Sequence, residues 1–235
     1  ADITVVCANL PYQDDISRYG VVQMDADGRI TEYEEKPMVT SSNTVSAGVY
    51  VIRRRVLIEL LEECNREGRY NLVTDILIRY KNLKKIYGYR MEGYWANIAD
   101  VDSYFRANMD FLRRDVRDYF FHEDPGIYSK THDLPPAKYN VGSRVTNSLV
   151  AGGCIINSTV ENSVLFKKVF VGNNSVIKNS IILNGAYIGD NVRVENCIVE
   201  SHETLLSGTT CIGENGVRII TGNKTGYGLQ GNGGF

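Results

Sequence analysis

A short motif of asparagine, a small residue and two apolar residues recurs through the second half of the chain. It reads NSLV at 147–150, NSVL at 162–165, NSII at 179–182 and NCIV at 196–199, at spacings of 15, 17 and 17 residues. Repeats this short cannot bury an apolar face alone, so they must stack, which predicts a parallel β-helix. Asparagine suits the corners of such coils because it tolerates left-handed backbone angles.

A six-residue step runs through the same half. Val171, Ile177 and Leu183 keep this step, and Ile188 and Val194 resume it after a shortened side. Coils of three six-residue sides are typical of the left-handed hexapeptide-repeat domains, which this half resembles. In successive coils we expect four apolar residues to lie one above another: Leu149, Val164, Ile181 and Ile198. Because solenoids host many functions, this half also fits a scaffold that only stacks and pairs with other subunits.

The first half has a mixed α/β pattern. The runs ITVVCA, YGVVQM and SAGVYVI are short and β-branched enough to be strands, and the pair Asp27 and Gly28 predicts a hairpin turn. The segment VLIELLEECNREG predicts a helix, and further helices are expected after Asn71 and after the cap Asp100. The predicted fold class is therefore α/β plus β, with one domain over 1–117, a linker over 118–140, and a β-helix with a Gly-rich tail over 141–235.

The composition excludes several function classes. A net charge of −2 provides no basic field to gather nucleic acid or an anionic membrane, and no apolar run is long enough to span a bilayer. The 5 cysteines form no C-x-x-C motif, which argues against a disulfide framework or a zinc knuckle and favours the cytoplasm. The chain begins with a strand-like run, so we expect a C-terminal portion of a longer protein.

Two small motifs indicate a ligand site. In EYEEKP, a strand ends in Glu35 and Lys36, and Pro37 stops it so that carboxylate and cation can both face a ligand. A lysine at such a place suits phosphate. Downstream, Ser46 opens SAGVYVI, whose small residues let a ligand approach the backbone. Alone, the charged pair also fits a solvated sheet edge.

Five segments taken in order resemble one enzyme family. They are EEKP, SAGVYVI, YWANI, LPPAK and NSLVAGGC. Together they closely resemble the ADP-glucose pyrophosphorylases, or glucose-1-phosphate adenylyltransferases, of bacterial glycogen synthesis. The resemblance implies the C-terminal part of a nucleotidyltransferase (Rossmann-like) mixed-sheet domain, followed by a left-handed parallel β-helix. It also implies a tetramer, formed with itself or with a homologous catalytic subunit.

The resemblance further implies which residues bind glucose 1-phosphate or ADP-glucose. Glu35 and Lys36 match the pair that contacts the sugar and its phosphate, and Ser46 matches a serine near the glucose. Asp75, in NLVTD, matches an acidic residue close to the sugar, and Trp95 belongs to the same expected site.

Two departures from the family pattern bear on catalysis. The family's Gly-rich nucleotide turn and first metal-binding aspartate fall in an N-terminal portion that this sequence lacks. The family pattern Y-W-x-D-V-G-T places an Mg²⁺-binding aspartate where this chain has Asn97. A neutral amide is a poorer Mg²⁺ ligand than a carboxylate. We therefore expect no catalytic residue, no Mg²⁺ held by this chain alone, and a regulatory subunit.

Three other functions fit parts of the sequence. The chain fits a structural oligomerisation module that keeps a vestigial sugar-nucleotide site. It also fits another sugar-nucleotide nucleotidyltransferase, such as a guanylyltransferase, because the residues that read the base lie upstream. Finally, His202 lies in the β-helix, where hexapeptide acyltransferases carry a histidine as general base.

Overall fold

The computed structural model describes residues 1–10, 15–40, 42–122, 130 and 132–222. It divides into two compact units, Ala1–Trp95 and Ala96–Phe235. This division falls before the predicted limit at residue 117, because the helices that follow Trp95 group with the β-helix. Regular structure reaches into both ends of the predicted linker, since a helix ends at Phe121 and a strand occupies Lys138–Tyr139.

The first unit is built on a five-stranded mixed sheet with strand order β3-β2-β4-β1-β5. Strand β1 pairs antiparallel with β4 and parallel with β5, and β2 pairs antiparallel with β3 and β4. The predicted hairpin joins β2 to β3, with Gly28 at a φ of 80°. The strands are β1 Ile3–Asn9, β2 Gly20–Met24, β3 Ile30–Glu35, β4 Thr44–Ile52 and β5 Ile86–Arg90.

Helix α1, Arg54–Arg66, and a π-helical turn, Val73–Ile78, pack on one face of this sheet. A 3-10 turn spans Ile16–Arg18, and Ile16 packs with a smaller cluster on the other face. Three residues of α1 are buried: Val56, Leu60 and Cys64. They pack with Val5, Val22 and Tyr33 of the sheet, among others, in one core. Leu61, which the helical pattern places beside them, is 50% exposed, so the buried stripe is narrower than the sequence suggests.

The second unit begins with two helices, α2 Val101–Asp110 and α3 Arg114–Phe121. Asp100 caps α2 as predicted, because its side chain accepts a hydrogen bond from the Ser103 backbone N–H, and the Ser103 side chain bonds back to the cap. No helix among the described residues is long and apolar enough to cross a membrane.

The rest of the second unit is a solenoid of three parallel five-stranded sheets, with orders β6-β9-β12-β15-β18, β7-β10-β13-β16-β19 and β8-β11-β14-β17-β20. Consecutive strands turn from one sheet to the next, and strands three apart in sequence pair. The strands are β6 Lys138–Tyr139, β7 Arg144–Thr146, β8 Leu149–Val150, β9 Ile155–Ile156, β10 Thr159–Glu161, β11 Val164–Leu165, β12 Phe170–Val171, β13 Val176–Lys178, β14 Ile181–Ile182, β15 Tyr187–Ile188, β16 Arg193–Glu195, β17 Cys197–Val199, β18 Thr204–Leu205, β19 Thr210–Ile212 and β20 Arg218–Ile220.

The predicted register of the repeats is confirmed. Val164 pairs with Leu149 and Ile181, and Ile181 pairs with Ile198, so the four residues form one row across successive coils. This row lies outside the solenoid core, whose members include the alternate residues Leu165, Ile182 and Val199.

One predicted inward position is wrong. Val171, Ile177, Ile188 and Val194 all belong to the solenoid core, as the six-residue step predicts. Leu183 is only half-buried, and Ile182 takes the inward position instead. The shortened side therefore lies between Ile177 and Ile182. The sequence is ambiguous there, because an unbroken apolar run offers a hydrophobic side chain to either side of the strand.

The asparagine corners are confirmed. The four repeated asparagines adopt positive φ angles: Asn147 at 41°, Asn162 at 46°, Asn179 at 42° and Asn196 at 52°. The Asn147 side-chain amide donates to the Asn162 side-chain oxygen at 2.7 Å, which links one coil to the next. Repeated corners of this kind explain why the motif recurs.

Candidate functional site

The charged pair lies at the end of β3. Glu35 is the last residue of the strand and Lys36 follows it, and both side chains are exposed. Lys36 has a φ of 50°, which is unfavourable for a residue with a Cβ and is disfavoured further by the following proline. Its backbone N–H donates to the Tyr19 carbonyl at 3.0 Å, which holds this conformation. Strained residues of this kind cluster at ligand sites.

Ser46 lies on β4 and is buried. Its hydroxyl donates to the Tyr50 hydroxyl at 3.4 Å and accepts the Gly48 backbone N–H at 3.3 Å. Ser46 pairs across the sheet with Cys7, whose side chain belongs to the core under α1. Paired residues point to the same face, so Ser46 lies on the α1 face.

Tyr33 links Ser46 to the end of β3, a role that the sequence analysis missed. The ring is 3% exposed. Burial raises the pKa of Tyr33 well above its usual value, a hydrogen bond with Ser46 opposes this increase, and the nearby charge of Glu35 adds to it. Tyr33 and Glu35 are two residues apart on one strand and therefore share a face. The burial of Tyr33 could have been predicted from the segment EYEE, because the tyrosine is the one side chain there that is apolar enough to be buried.

Gly20 leaves the space that this arrangement needs. It pairs with Glu35 across β2 and β3. A Cβ on Gly20 would stand 2.7 Å from the Tyr33 hydroxyl and 3.0 Å from Glu35 Oε2. Any larger residue would therefore displace both groups, and the tyrosine hydroxyl and the carboxylate converge above this glycine.

Trp95 packs on the opposite face of the same sheet. It contacts a small cluster that includes Ala8, Val21 and Val45, and its ring centroid lies 5.8 Å from that of Tyr19. Because the Tyr19 carbonyl accepts from Lys36, the tryptophan supports the backbone beside the charged pair. Direct contact of Trp95 with a sugar stays a prediction.

Asp75 makes local contacts in the π-helical turn. Its carboxylate accepts the Asn71 backbone N–H at 2.9 Å and lies 3.6 Å from the Arg69 guanidinium. These contacts cap the turn and explain an acidic residue there without a ligand. A role of Asp75 beside the sugar stays a prediction.

Asn97 belongs to the second unit, two residues after the division at Trp95. Asp100, the nearest carboxylate along the chain, accepts the Ser103 backbone N–H at 2.8 Å as the cap of α2. Within the described ranges, no three His, Cys, Asp or Glu side chains lie close enough together to hold a metal ion. The neutral amide of Asn97 is a poorer Mg²⁺ ligand than a carboxylate.

His202 occupies a corner of the solenoid with a φ of 62°. A Cβ on Gly185, in the preceding coil, would lie 2.7 Å from His202 Nδ1, so the ring packs over that glycine. This packing gives the histidine a structural role. The Gly-rich tail after Gly222 lies outside the described residues.

Comparison with protein families matches both halves of the chain. Residues 1–114 match the nucleotidyl transferase family, and residues 135–219 match the GlmU-like C-terminal hexapeptide family. A glucose-1-phosphate adenylyltransferase of Clostridium botulinum (strain Alaska E43 / Type E3) is 38% identical over 178 residues, which is 74% of this chain and 46% of the relative. That of Pseudothermotoga lettingae is 32% identical over 177 residues, covering 74% of this chain and 42% of the relative.

Over 74% of its length the chain is similar to glucose-1-phosphate adenylyltransferases. The resemblance seen in the motifs is thereby confirmed, as is the mixed-sheet domain followed by a hexapeptide-repeat left-handed β-helix. A Thermotoga maritima glucose-1-phosphate adenylyltransferase is 34% identical over 73% of this chain and 41% of the relative. The chain thus spans less than half the length of these relatives.

Proposed function

We propose that this chain is part of a glucose-1-phosphate adenylyltransferase subunit that binds ADP-glucose or glucose 1-phosphate and serves a regulatory rather than a catalytic role. The observation that carries the proposal is the end of β3. There, exposed Glu35 and Lys36 follow a buried strand, and Lys36 adopts a strained backbone conformation. A carboxylate can accept sugar hydroxyls, and a lysine beside it can neutralise a sugar phosphate.

The regulatory role follows from what metal catalysis requires. Nucleotidyl transfer depends on Mg²⁺ to neutralise charge that develops on the phosphates. Asn97 stands where the family pattern has an aspartate, and its neutral amide is a poor ligand for this ion. Binding, in contrast, relies on the charged pair. A subunit of this kind binds sugar nucleotide without metal but converts ATP and glucose 1-phosphate to ADP-glucose poorly. It works beside a homologous catalytic subunit in a tetramer.

Calorimetric titration with ADP-glucose in EDTA tests the binding. We expect saturable binding by the purified chain, and Lys36→Ala should weaken it by about 10- to 100-fold, the usual worth of a charge-assisted contact. Glucose 1-phosphate should compete with ADP-glucose. If neither compound binds, the chain is better described as a structural module, and the proposal fails.

A further inference from the structure

Tyr33 combines three properties that a purely structural core residue does not need. Its ring is 3% exposed, its hydroxyl interacts with the hydroxyls of Ser46 and Tyr50, and the same hydroxyl converges with the Glu35 carboxylate above Gly20. We propose that Tyr33 is a positioning residue, which holds the Glu35 carboxylate in the orientation that accepts the hydroxyls of a glucose unit. This inference rests on the proposed sugar-nucleotide site.

The backbone brings these groups together from three strands. Tyr33 and Glu35 project from β3, Ser46 from β4, and Gly20 lies on β2 between them. The hydroxyl and Glu35 Oε2 lie 2.7 and 3.0 Å from the point where a Gly20 Cβ would stand. The two groups are therefore close neighbours, although one is buried and the other is exposed to solvent.

Counting protons shows what the tyrosine can supply. The hydroxyls of Ser46, Tyr50 and Tyr33 each carry one proton that can be donated. Ser46 donates to Tyr50 at 3.4 Å. An ionised carboxylate can only accept, and the Glu35 carboxylate converges with the Tyr33 hydroxyl above Gly20, so a Tyr33 O–H turned toward Glu35 would donate its proton to the carboxylate. The donated bond would restrict the rotamers of an exposed glutamate before the sugar arrives.

A double-mutant cycle tests the inference. Tyr33→Phe removes only the hydroxyl and keeps the buried ring. We expect it to weaken ADP-glucose binding by about five- to tenfold, the usual effect of losing one such hydrogen bond. In a Glu35→Gln background the same change should weaken binding by less than about twofold, because the tyrosine acts through the carboxylate. A core residue that acts only through stability would show the same effect in both backgrounds.

Tyr80→Phe is the matched control. Tyr80 is also buried in the core of the first unit, and its hydroxyl has no hydrogen-bond partner among the described residues. We expect this variant to bind ADP-glucose like the unmutated chain. Circular dichroism and thermal melting of each variant establish that it folds.

The outcomes separate this inference from the function on which it rests. If the unmutated chain binds no sugar nucleotide, the proposed function fails. If the unmutated chain binds, and if Lys36→Ala weakens binding while Tyr33→Phe does not, only the positioning role is overturned. An equal loss for Tyr33→Phe in the unmutated and the Glu35→Gln backgrounds would also overturn it, since the tyrosine would then not act through the carboxylate.

Discussion

The two units use left-handed backbone angles in different ways. Among the described residues, 8 non-glycine residues with positive φ lie in the second unit and 1, Lys36, lies in the first. In the solenoid these angles recur at the corners of successive coils, where asparagines tolerate them. In the described part of the first unit, Lys36 is the one non-glycine residue with this conformation, and a proline follows it. The repeated positive φ angles follow from the coil architecture, whereas the isolated one at Lys36 supports the proposed ligand site.

The units also differ in how far apart in sequence their contacts lie. In the solenoid, Ile181 pairs with residues one coil before and one coil after it, Val164 and Ile198. In the first unit, Ile3 pairs with Ile52 on one side and Ile86 on the other. Destabilisation by a core substitution should therefore stay near the substituted coil in the solenoid. In the first unit it should reach all strands of the sheet.

Truncation of one core residue in each unit should have the largest effect. Ile3 and Ile182 are both 0% exposed, and replacing either with alanine should destabilise its unit by about 2–5 kcal/mol. Hydrogen exchange followed by mass spectrometry should show faster exchange in all strands of the sheet for Ile3→Ala. For Ile182→Ala it should show faster exchange mainly in β11, β14 and β17. If faster exchange extended over the same number of strands in both variants, the proposed difference between the two units would be contradicted.

Corner asparagines should tolerate substitution by glycine better than substitution by alanine. Asn162 has a φ of 46° and accepts a hydrogen bond from Asn147. Asn162→Ala should cost about 1–2 kcal/mol, because alanine tolerates this angle poorly and cannot accept the bond. Asn162→Gly relieves the strain and should cost about 1 kcal/mol less. Urea denaturation of the two variants measures the difference, and identical midpoints would show that the corner angle is not strained.

The same pair of substitutions at Lys36 separates strain from function. Lys36→Gly should unfold with a free energy about 1 kcal/mol higher than Lys36→Ala, because glycine adopts the left-handed angle without strain. Both variants lack the ammonium group, so both should lose ADP-glucose binding to a similar degree. Urea titration and calorimetry on the same samples provide the two readouts. A glycine variant less stable than the alanine variant would contradict a strained Lys36.

The buried Cys7 thiol should make stability depend on pH in the alkaline range. Burial raises the pKa of its thiol to about 11 from an ordinary value of 9.0. The folded state thus retains the proton more strongly, so this contribution to stability is fully present below about pH 9 and is lost as the pH rises toward 11. Replacing Cys7 with alanine should flatten the fall of the urea midpoint over that range. An unchanged pH profile would show that the thiol does not contribute.

The extent to which sequence predicted structure also differs between the units. Register and corners of the solenoid followed from spacing, and the one wrong inward position, Leu183, came from an unbroken apolar run. In the first unit, the strand that ends at Glu35 was predictable from its pattern and from Pro37. The contacts of Tyr33 were not, because its partners come from β4 and β2, and no local pattern encodes pairing between distant strands.

Magnesium titration of the purified full-length subunit, free of any catalytic partner, tests most directly whether the site binds sugar nucleotide without catalysing its formation. The readouts are pyrophosphate release from ATP with glucose 1-phosphate, and ADP-glucose binding in the same buffers. We expect binding that does not depend on Mg²⁺ and pyrophosphate release no higher than in EDTA, because Asn97 provides no carboxylate for the ion. Robust Mg²⁺-dependent pyrophosphate release by the unmutated full-length subunit would contradict the regulatory role.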